Sequence, residues 1–148
     1  MSLSFTSERG AIECRWIEYA LLRDNAQHHL EGALSESGLE ALHAPATALG
    51  GAPVRLDARA LAEALREVER VVLPMPIERL AISDRTRAVL FRRWPLPAVG
   101  TTRELVEAES RPAVTRGART LDEVFGALVR GLRAISERAG AELEVRDL

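Results

Sequence analysis

The chain has 148 residues, enough for one globular domain with its own core. Hydrophobic residues make up 47% of it and charged residues 28%, so a largely disordered chain is excluded. The net charge of −2 argues against a general nucleic-acid-binding protein. No apolar run approaches the ~18 residues of a membrane span, and the chain opens with no secretory signal, so we expect a cytoplasmic protein without membrane contact.

The basic residues are all arginines, and the chain contains one cysteine, Cys14. Without lysine, the chain forms no lysine Schiff base and offers no P-loop lysine to a phosphate. A single cysteine excludes an intrachain disulfide and a zinc site made of this chain's thiolates. The arginine-rich, lysine-free composition is typical of codon bias in a GC-rich bacterial genome.

The N-terminal third contains the segment that is hardest to assign. Residues 12–16 alternate between apolar and polar side chains, and residues 17–19 alternate again, one position out of phase. A strand with a bulge near Trp16 and Ile17 fits this pattern best, and a helix over residues 11–22 is the alternative.

Two short helices are predicted after this segment. Asp24-Asn25 predicts a turn, and leucines and alanines then recur at helical spacing over residues 30–42. Ser37 and Glu40 form a capping box, in which each side chain bonds a backbone N–H at a helix start. We therefore expect the second helix to begin at Ser37.

Residues 54–56 form a short predicted strand, and Asp57 behind them predicts the N-cap of a helix. Apolar residues recur at helical spacing from there to position 72. Pro74 and Pro76 end this helix because proline cannot continue it. The apolar positions are Leu61, Leu65, Val68 and Val72.

The next stretch is predicted to be extended. Residues 77–83 favour a strand, residues 83–85 a turn, and residues 88–92 a second strand. Strand, helix and strand over residues 54–82 then predict one crossover unit.

Two further capping boxes predict helix starts near the C-terminus. Thr101 and Glu104 open a short helix, and a polar loop follows at residues 110–119. Thr120 and Glu123 open the helix with the clearest apolar stripe in the chain.

The chain is predicted to end with a helix and a strand. Gly140 stands where a left-handed C-cap would fall, and residues 141–146 alternate as a terminal strand. The whole pattern predicts a single α+β domain over residues 1–148, in which helices pack on one face of a mixed, mostly antiparallel sheet.

No motif in the chain has the spacing that a specific chemistry demands. His28 and His29 are adjacent and point in different directions, and His43 completes neither an HExxH helix nor a facial triad. No G-x-S-x-G nucleophile motif occurs, and the paired carboxylates share exposed helix faces. We therefore assign no catalytic residue, no metal site and no cofactor.

Two predicted helix starts combine backbone N–H groups with arginines, an arrangement that favours an anion. One lies at residues 100–103, behind two further arginines, and the other at residues 115–120. Ordinary helix capping is the alternative explanation of both. The candidate ligand-binding residues are Arg92, Arg93, Trp94, Thr101, Thr102, Arg103, Arg116 and Arg119.

The most unusual local stretch is Arg92-Arg93-Trp94, which two prolines follow within residues 95–97. Tryptophan and arginine are enriched at interface hot spots, so this stretch predicts a rigid contact patch. The alternative is that Trp94 is a core residue that anchors an irregular loop.

These features favour a non-catalytic binding or regulatory protein that contacts another protein or its own copy. The alternative is a small-molecule binder or enzyme for a phosphate- or carboxylate-bearing ligand. Residues 1–57 carry four arginines and eight acidic residues, whereas residues 78–119 carry nine arginines and five acidic residues. This polarity can steer an anionic partner, and nucleic-acid binding by residues 78–119 is the third and least favoured alternative, because the net charge argues against it.

Overall fold

The computed structural model describes residues 2–93 and 118–148, apart from the side chains of residues 90–93. At its centre lies a four-stranded sheet with the order β2-β1-β4-β3, in which every described strand pair is antiparallel. The strands are β1 (Ser2–Ser7), β2 (Gly10–Arg15), β3 (Val54–Asp57) and β4 (Glu142–Asp147).

β1 and β2 form a hairpin, and β1 is not among the predicted elements. Its leucine and phenylalanine alternate with serine and threonine, which is the pattern of a half-buried strand. Leu3 lies opposite Cys14 and Phe5 opposite Ile12, so these four side chains share the face that packs into the core.

β4 is the last strand in the sequence but lies in the interior of the sheet. Val145 pairs with Phe5 on one side and with Val54 on the other. Leu143 and Val145 are fully buried, whereas Glu142 is exposed, as the alternation predicts. The predicted terminal strand is confirmed.

The described helices cover one face of this sheet, which confirms the predicted α+β class. α3 continues as a single π-helical segment, and two short 3-10 turns link other elements. The helices are α1 (Trp16–Leu30), α2 (Glu36–His43), α3 (Ala58–Glu67) with its π segment Val68–Val72, α4 (Asp84–Arg93) and α5 (Leu121–Ala139), and the 3-10 turns are Ala44–Ala48 and Ile77–Arg79.

α5 follows the predicted apolar stripe and packs against α1, α3 and the sheet. It ends at Gly140, whose φ of +83° places it in the left-handed region that favours glycine. Neither α5 nor another helix in the described ranges is long and apolar enough to cross a membrane. The buried residues of α5 include Leu121, Phe125, Val129, Leu132 and Ile135.

The segment after β2 is a helix and not a continued strand. β2 ends at Arg15 and α1 begins at Trp16, so the predicted bulge near Trp16 and Ile17 is wrong, as is the turn at Asp24-Asn25. α1 is buried on several sides, and a helix of that kind shows no single apolar stripe. The phase shift in the alternation marks the change from strand to helix.

Neither strand predicted after Pro76 is formed. Ile77–Arg79 is a 3-10 turn, residues 80–83 have no regular structure, and α4 begins at Asp84. The crossover unit predicted over residues 54–82 is therefore wrong, because no second strand follows α3 there. The apolar residues of this stretch reach the core from an irregular backbone, which takes its hydrogen bonds from α1.

Serine and aspartate side chains start two of the helices. The Ser35 hydroxyl accepts a hydrogen bond from the N–H of Gly38 at 3.0 Å, so α2 is capped two residues before the predicted Ser37. Asp57 caps α3 as predicted, because its Oδ1 accepts from two N–H groups of the first turn.

Candidate interaction surface

Most of the predicted ligand-binding residues lie outside the described part of the chain. Arg92 and Arg93 are the last residues of α4, and the structure describes their backbone alone. The predicted contact patch and the helix start at residues 100–103 therefore stay predictions. The predicted ligand-binding residues that lie outside the described ranges are Trp94, Thr101, Thr102, Arg103 and Arg116.

Arg119 is the predicted ligand-binding residue whose side chain is described, and it is exposed before α5. Its N–H donates to Glu123 Oε2 at 2.8 Å, and its C=O accepts from the N–H of Ile77 at 2.9 Å. The Thr120 hydroxyl makes no capping bond, so the predicted capping box is formed only by its glutamate, one residue early. These contacts fix the backbone at the helix start.

Three consecutive polar residues of α1 are buried, and the first two are charged. Arg23 and Asp24 are 8% and 5% exposed. Asp24 Oδ2 accepts from the N–H of Ser83 at 3.0 Å. Arg23 Nη2 lies 3.4 Å from both Asp24 Oδ1 and Thr86 Oγ1. α1 thereby holds the first turn of α4.

The third residue, Asn25, is fully buried and bonds an irregular piece of backbone from both sides. Its Nδ2 donates to the C=O of Ala81 at 3.0 Å and to that of Leu21 at 2.8 Å, while its Oδ1 accepts from the N–H of Ala81 at 2.9 Å. His29 Nε2 donates to the C=O of Arg79 at 2.9 Å. These side chains supply the partners that a buried backbone requires.

We interpret these contacts as an anchor for the segment that leads into α4. Buried charges are tolerated when fixed partners surround them, and here the partners come from that segment. Asn25 and Thr86 are not exposed at all, so no substrate reaches them in this conformation. We call this cluster the polar seam: it comprises Arg23, Asp24, Asn25, Ser83 and Thr86.

The histidines do not form a site. The His28 and His29 rings meet edge to face with their centroids 4.8 Å apart. Burial lowers the pKa of His43, and the nearby positive charge of Arg23 lowers it further. The described ranges contain no group of three or more histidine, cysteine, aspartate or glutamate residues that could hold a metal ion.

Cys14 is buried on the core side of β2. Burial, together with the smaller effect of the negative charge of Glu18, raises the pKa of its thiol to about 12. The thiol is therefore protonated at neutral pH, and a protonated thiol is a poor nucleophile. Cys14 acts as a small apolar core residue.

The second face of the sheet carries polar side chains and faces solvent. Glu13 on β2, Arg55 on β3 and Arg146 on β4 are exposed there, on the side opposite the helices. We call this surface the open face. It comprises Ser2, Ser4, Thr6, Ala11, Glu13, Arg15, Arg55, Glu142, Glu144 and Arg146.

Small side chains form the centre of the open face, and charged ones form its flanks. In the strand register, Ser4 of β1 lies between Glu13 of β2 and Arg146 of β4. Thr6 of β1 lies beside Glu144 of β4. A row of small side chains, which we call the trough, therefore runs along β1 between charged side chains; Ser4 is buried and Thr6 is partly exposed.

The charges on the open face pair loosely with one another. Arg55 Nη1 lies 3.5 Å from Glu142 Oε2, and their side chains are 73% and 57% exposed. Arg146 pairs with Glu144 on the same strand. Exposed pairs of this kind contribute about 0–1 kcal/mol, so a partner can recruit the same charges at little cost.

A cleft of about 610 Å³ lies at one end of the open face, beside the β1–β2 turn. Glu8 and Arg9 from the turn meet Arg55, Glu142 and Glu144 along its walls. Small-molecule sites are mostly apolar with a few polar groups, whereas five of the eleven residues that line these walls are charged. The cleft suits a polar segment of a macromolecule better than a small ligand.

The open face was missed at the sequence level although its signal is present. Residues 2–6 alternate between small polar and large apolar side chains, and residues 141–146 alternate between charged and apolar ones. Both segments form strands, β1 and β4, and only the second is among the predicted elements. That the two strands are neighbours follows only from the fold.

Comparison with known proteins adds no relative: no family model, curated protein or solved structure matches this chain. The functional proposal therefore depends on the geometry of the chain's own residues.

Proposed function

We propose that the protein is a non-catalytic binding protein that contacts another protein through the open face of its sheet. The observation that carries the proposal is the asymmetry of the sheet. Helices bury one face, while the other presents a trough of small side chains between charged flanks.

Such a surface suits protein recognition for two physical reasons. The small, partly exposed side chain of Thr6 lets the partner's backbone or side chains approach the sheet closely. The flanking charges of Glu13, Arg55 and Arg146 fix the partner's orientation, because complementary charges give specificity and faster association.

The test is to block the trough with one long side chain. We expect Thr6→Arg to weaken partner binding by about tenfold or more, since bulk and charge at the centre of an interface cost most. Thr47→Arg is the matched control, because Thr47 is exposed on the 3-10 turn Ala44–Ala48 and is not part of the open face. Partners are captured from a lysate of the source organism with wild type and both variants, after circular dichroism has shown that each variant folds.

The proposal holds if one protein binds wild type and Thr47→Arg but is lost with Thr6→Arg. It fails if Thr6→Arg captures the same proteins in the same amounts. Sedimentation at several concentrations then tells whether the captured species is a second copy of the chain or a different protein.

A ligand screen tests the alternative of an anionic small molecule. A ligand at about 100 times its Kd adds roughly 2.7 kcal/mol, which raises the melting temperature by several degrees. A selective shift with one phosphate- or carboxylate-bearing compound, lost in Arg119→Ala, would favour a ligand-binding function over the open face.

A further inference from the structure

The two edge strands of the sheet differ in their capacity to accept another strand. β3 has four residues, follows Pro53, and ends in the N-cap residue Asp57. β2 has six residues, contains no proline and, within the described ranges, pairs with β1 only. Short length and proline block strand addition at an edge, so β2 is the more receptive edge.

The pairing of β1 shows which backbone groups of β2 point outward. The N–H of Leu148 donates to the C=O of Ser2, so the even-numbered residues of β1 direct their backbone groups to β4 and the odd-numbered ones to β2. In the register, odd-numbered residues of β1 face even-numbered residues of β2. Ala11 and Glu13 therefore direct their N–H and C=O groups to the outer edge, and both residues are exposed.

The flank of α5 beside this edge is built from small residues. Ile12 of β2 packs so closely on Gly131 that a Cβ there would lie 2.6 Å from Ile12 Cδ1. Ala127 and Ala134 lie about one turn before and after Gly131 on the same side of α5, and both are exposed. The apolar side chain of Ile12 and these small residues leave room for the side chains of an added strand that point toward the helices.

We infer that the outer edge of β2 is a strand-addition site for an extended peptide segment of a partner protein. The segment places a basic residue opposite Glu13, and its alternate residues are apolar and cover Ile12 and the small flank of α5. Main-chain hydrogen bonds to Ala11 and Glu13 supply affinity, and the charge opposite Glu13 supplies specificity. This inference rests on the proposed protein-binding function and names the class of its partner.

A second copy of the chain fits this edge less well. Antiparallel self-pairing centred on Glu13 sets two glutamates opposite each other, and centring on Ile12 sets Glu13 opposite Ala11, which leaves its charge without a partner. Centring on Cys14 pairs Glu13 with Arg15, but α1 begins at the next residue, so only three residues of each strand can pair. An extended segment of another protein meets none of these conflicts.

The test uses two synthetic peptides with a fluorescent label. Each has nine residues, alternates threonine and valine symmetrically about its centre, and carries either arginine or glutamate at the central position. The symmetry lets either strand direction place the central residue opposite Glu13. Fluorescence anisotropy measures their affinity for the full chain.

We expect wild type to bind the arginine peptide about tenfold more tightly than the glutamate peptide, because a cross-strand charge pair changes sign between them. Glu13→Arg inverts this preference, whereas Glu63→Arg on α3, the matched control, preserves it. Glu13→Pro removes an outward N–H and abolishes binding of both peptides. If Glu13→Pro fails to fold, the inversion by Glu13→Arg decides.

The inference is overturned if wild type binds neither peptide, binds both equally, or keeps its preference in Glu13→Arg. If sedimentation shows a dimer and Glu13→Pro dissociates it, the occupant of this edge is a second copy of the chain and not a partner's peptide. If the peptide test fails while Thr6→Arg still loses its partner, the open-face proposal stands. Loss of the open-face proposal is recognised separately, when Thr6→Arg and Thr47→Arg capture the same proteins.

Discussion

The helices of this protein are held by two contrasting seams. Between α3 and α5 the contact is apolar, with fully buried leucines such as Leu65 and Leu132 inside and ion pairs at the rim. Between α1 and the segment leading into α4, the contact is the polar seam of buried hydrogen bonds. We call the first contact the apolar seam, and both lie in the same core.

The difference follows from the backbone on each side of the seam. α3 and α5 satisfy their own N–H and C=O groups internally, so apolar side chains suffice to join them. Residues 80–83 form no regular secondary structure, and both backbone groups of Ala81 and the N–H of Ser83 bond side chains of α1 instead. α1 supplies these partners at the cost of polar residues in the core. The contrast predicts different responses to substitution on the two seams.

The largest effect is expected from a cavity in the apolar seam. Leu132→Ala should lower the free energy of unfolding by about 2–5 kcal/mol, since Leu132 is fully buried and its removal leaves a void. Urea denaturation followed by circular dichroism measures this loss. Leu132→Met, which nearly conserves volume, should cost less than about 1.5 kcal/mol, and equal losses in both variants would contradict the cavity explanation.

A somewhat smaller effect is expected in the polar seam. Asn25→Leu keeps the branched shape and the number of side-chain heavy atoms but leaves the N–H and C=O of Ala81 without their partner, which should cost about 1–3 kcal/mol. Hydrogen exchange should rise first at residues 80–83 and in the first turn of α4, before the rest of the core. Uniform acceleration across α3 and α5 would show that the polar seam does not act as a local anchor.

The ion pairs at the rim of the apolar seam should contribute least to stability. Glu137 accepts from Arg66 at 3.0 Å and from Arg133 at 3.1 Å, and all three side chains are partly exposed. Glu137→Gln should lower the free energy of unfolding only slightly at low salt and not measurably at high salt. A loss that persists at high salt would show that these pairs hold the helices together.

The pH dependence of stability tests the polar seam without a change in the packing of the apolar seam. Burial and the charge of Arg23 lower the pKa of His43 beside the polar seam, so the unfolded chain binds a proton at higher pH than the folded one. Stability is therefore retained above the ordinary histidine pKa of 6.5 and falls as the pH drops below it. Urea titrations between about pH 7.5 and 5 should show a smaller fall for His43→Gln than for wild type, and identical curves would refute this role.

The sequence by itself determined the elements whose patterns are local. Asp57 and the apolar spacing behind it predict the start and the buried face of α3, and Pro74 and Pro76 predict its end. The apolar stripe of α5, the φ of Gly140 and the alternation of β4 were predicted in the same way. Caps, prolines and amphipathic faces act within a few residues of chain, so one sequence carries them.

The tertiary structure decided the elements that depend on distant partners. α1 is buried on several sides, and the sequence predicts a turn at Asp24-Asn25 because hydrogen-bond partners of these two side chains lie far along the chain, in residues 81–83. The same partners replace the predicted strands with an irregular segment. The open face exists only because β4 enters the sheet beside β1, a pairing across some 140 residues that no local pattern encodes.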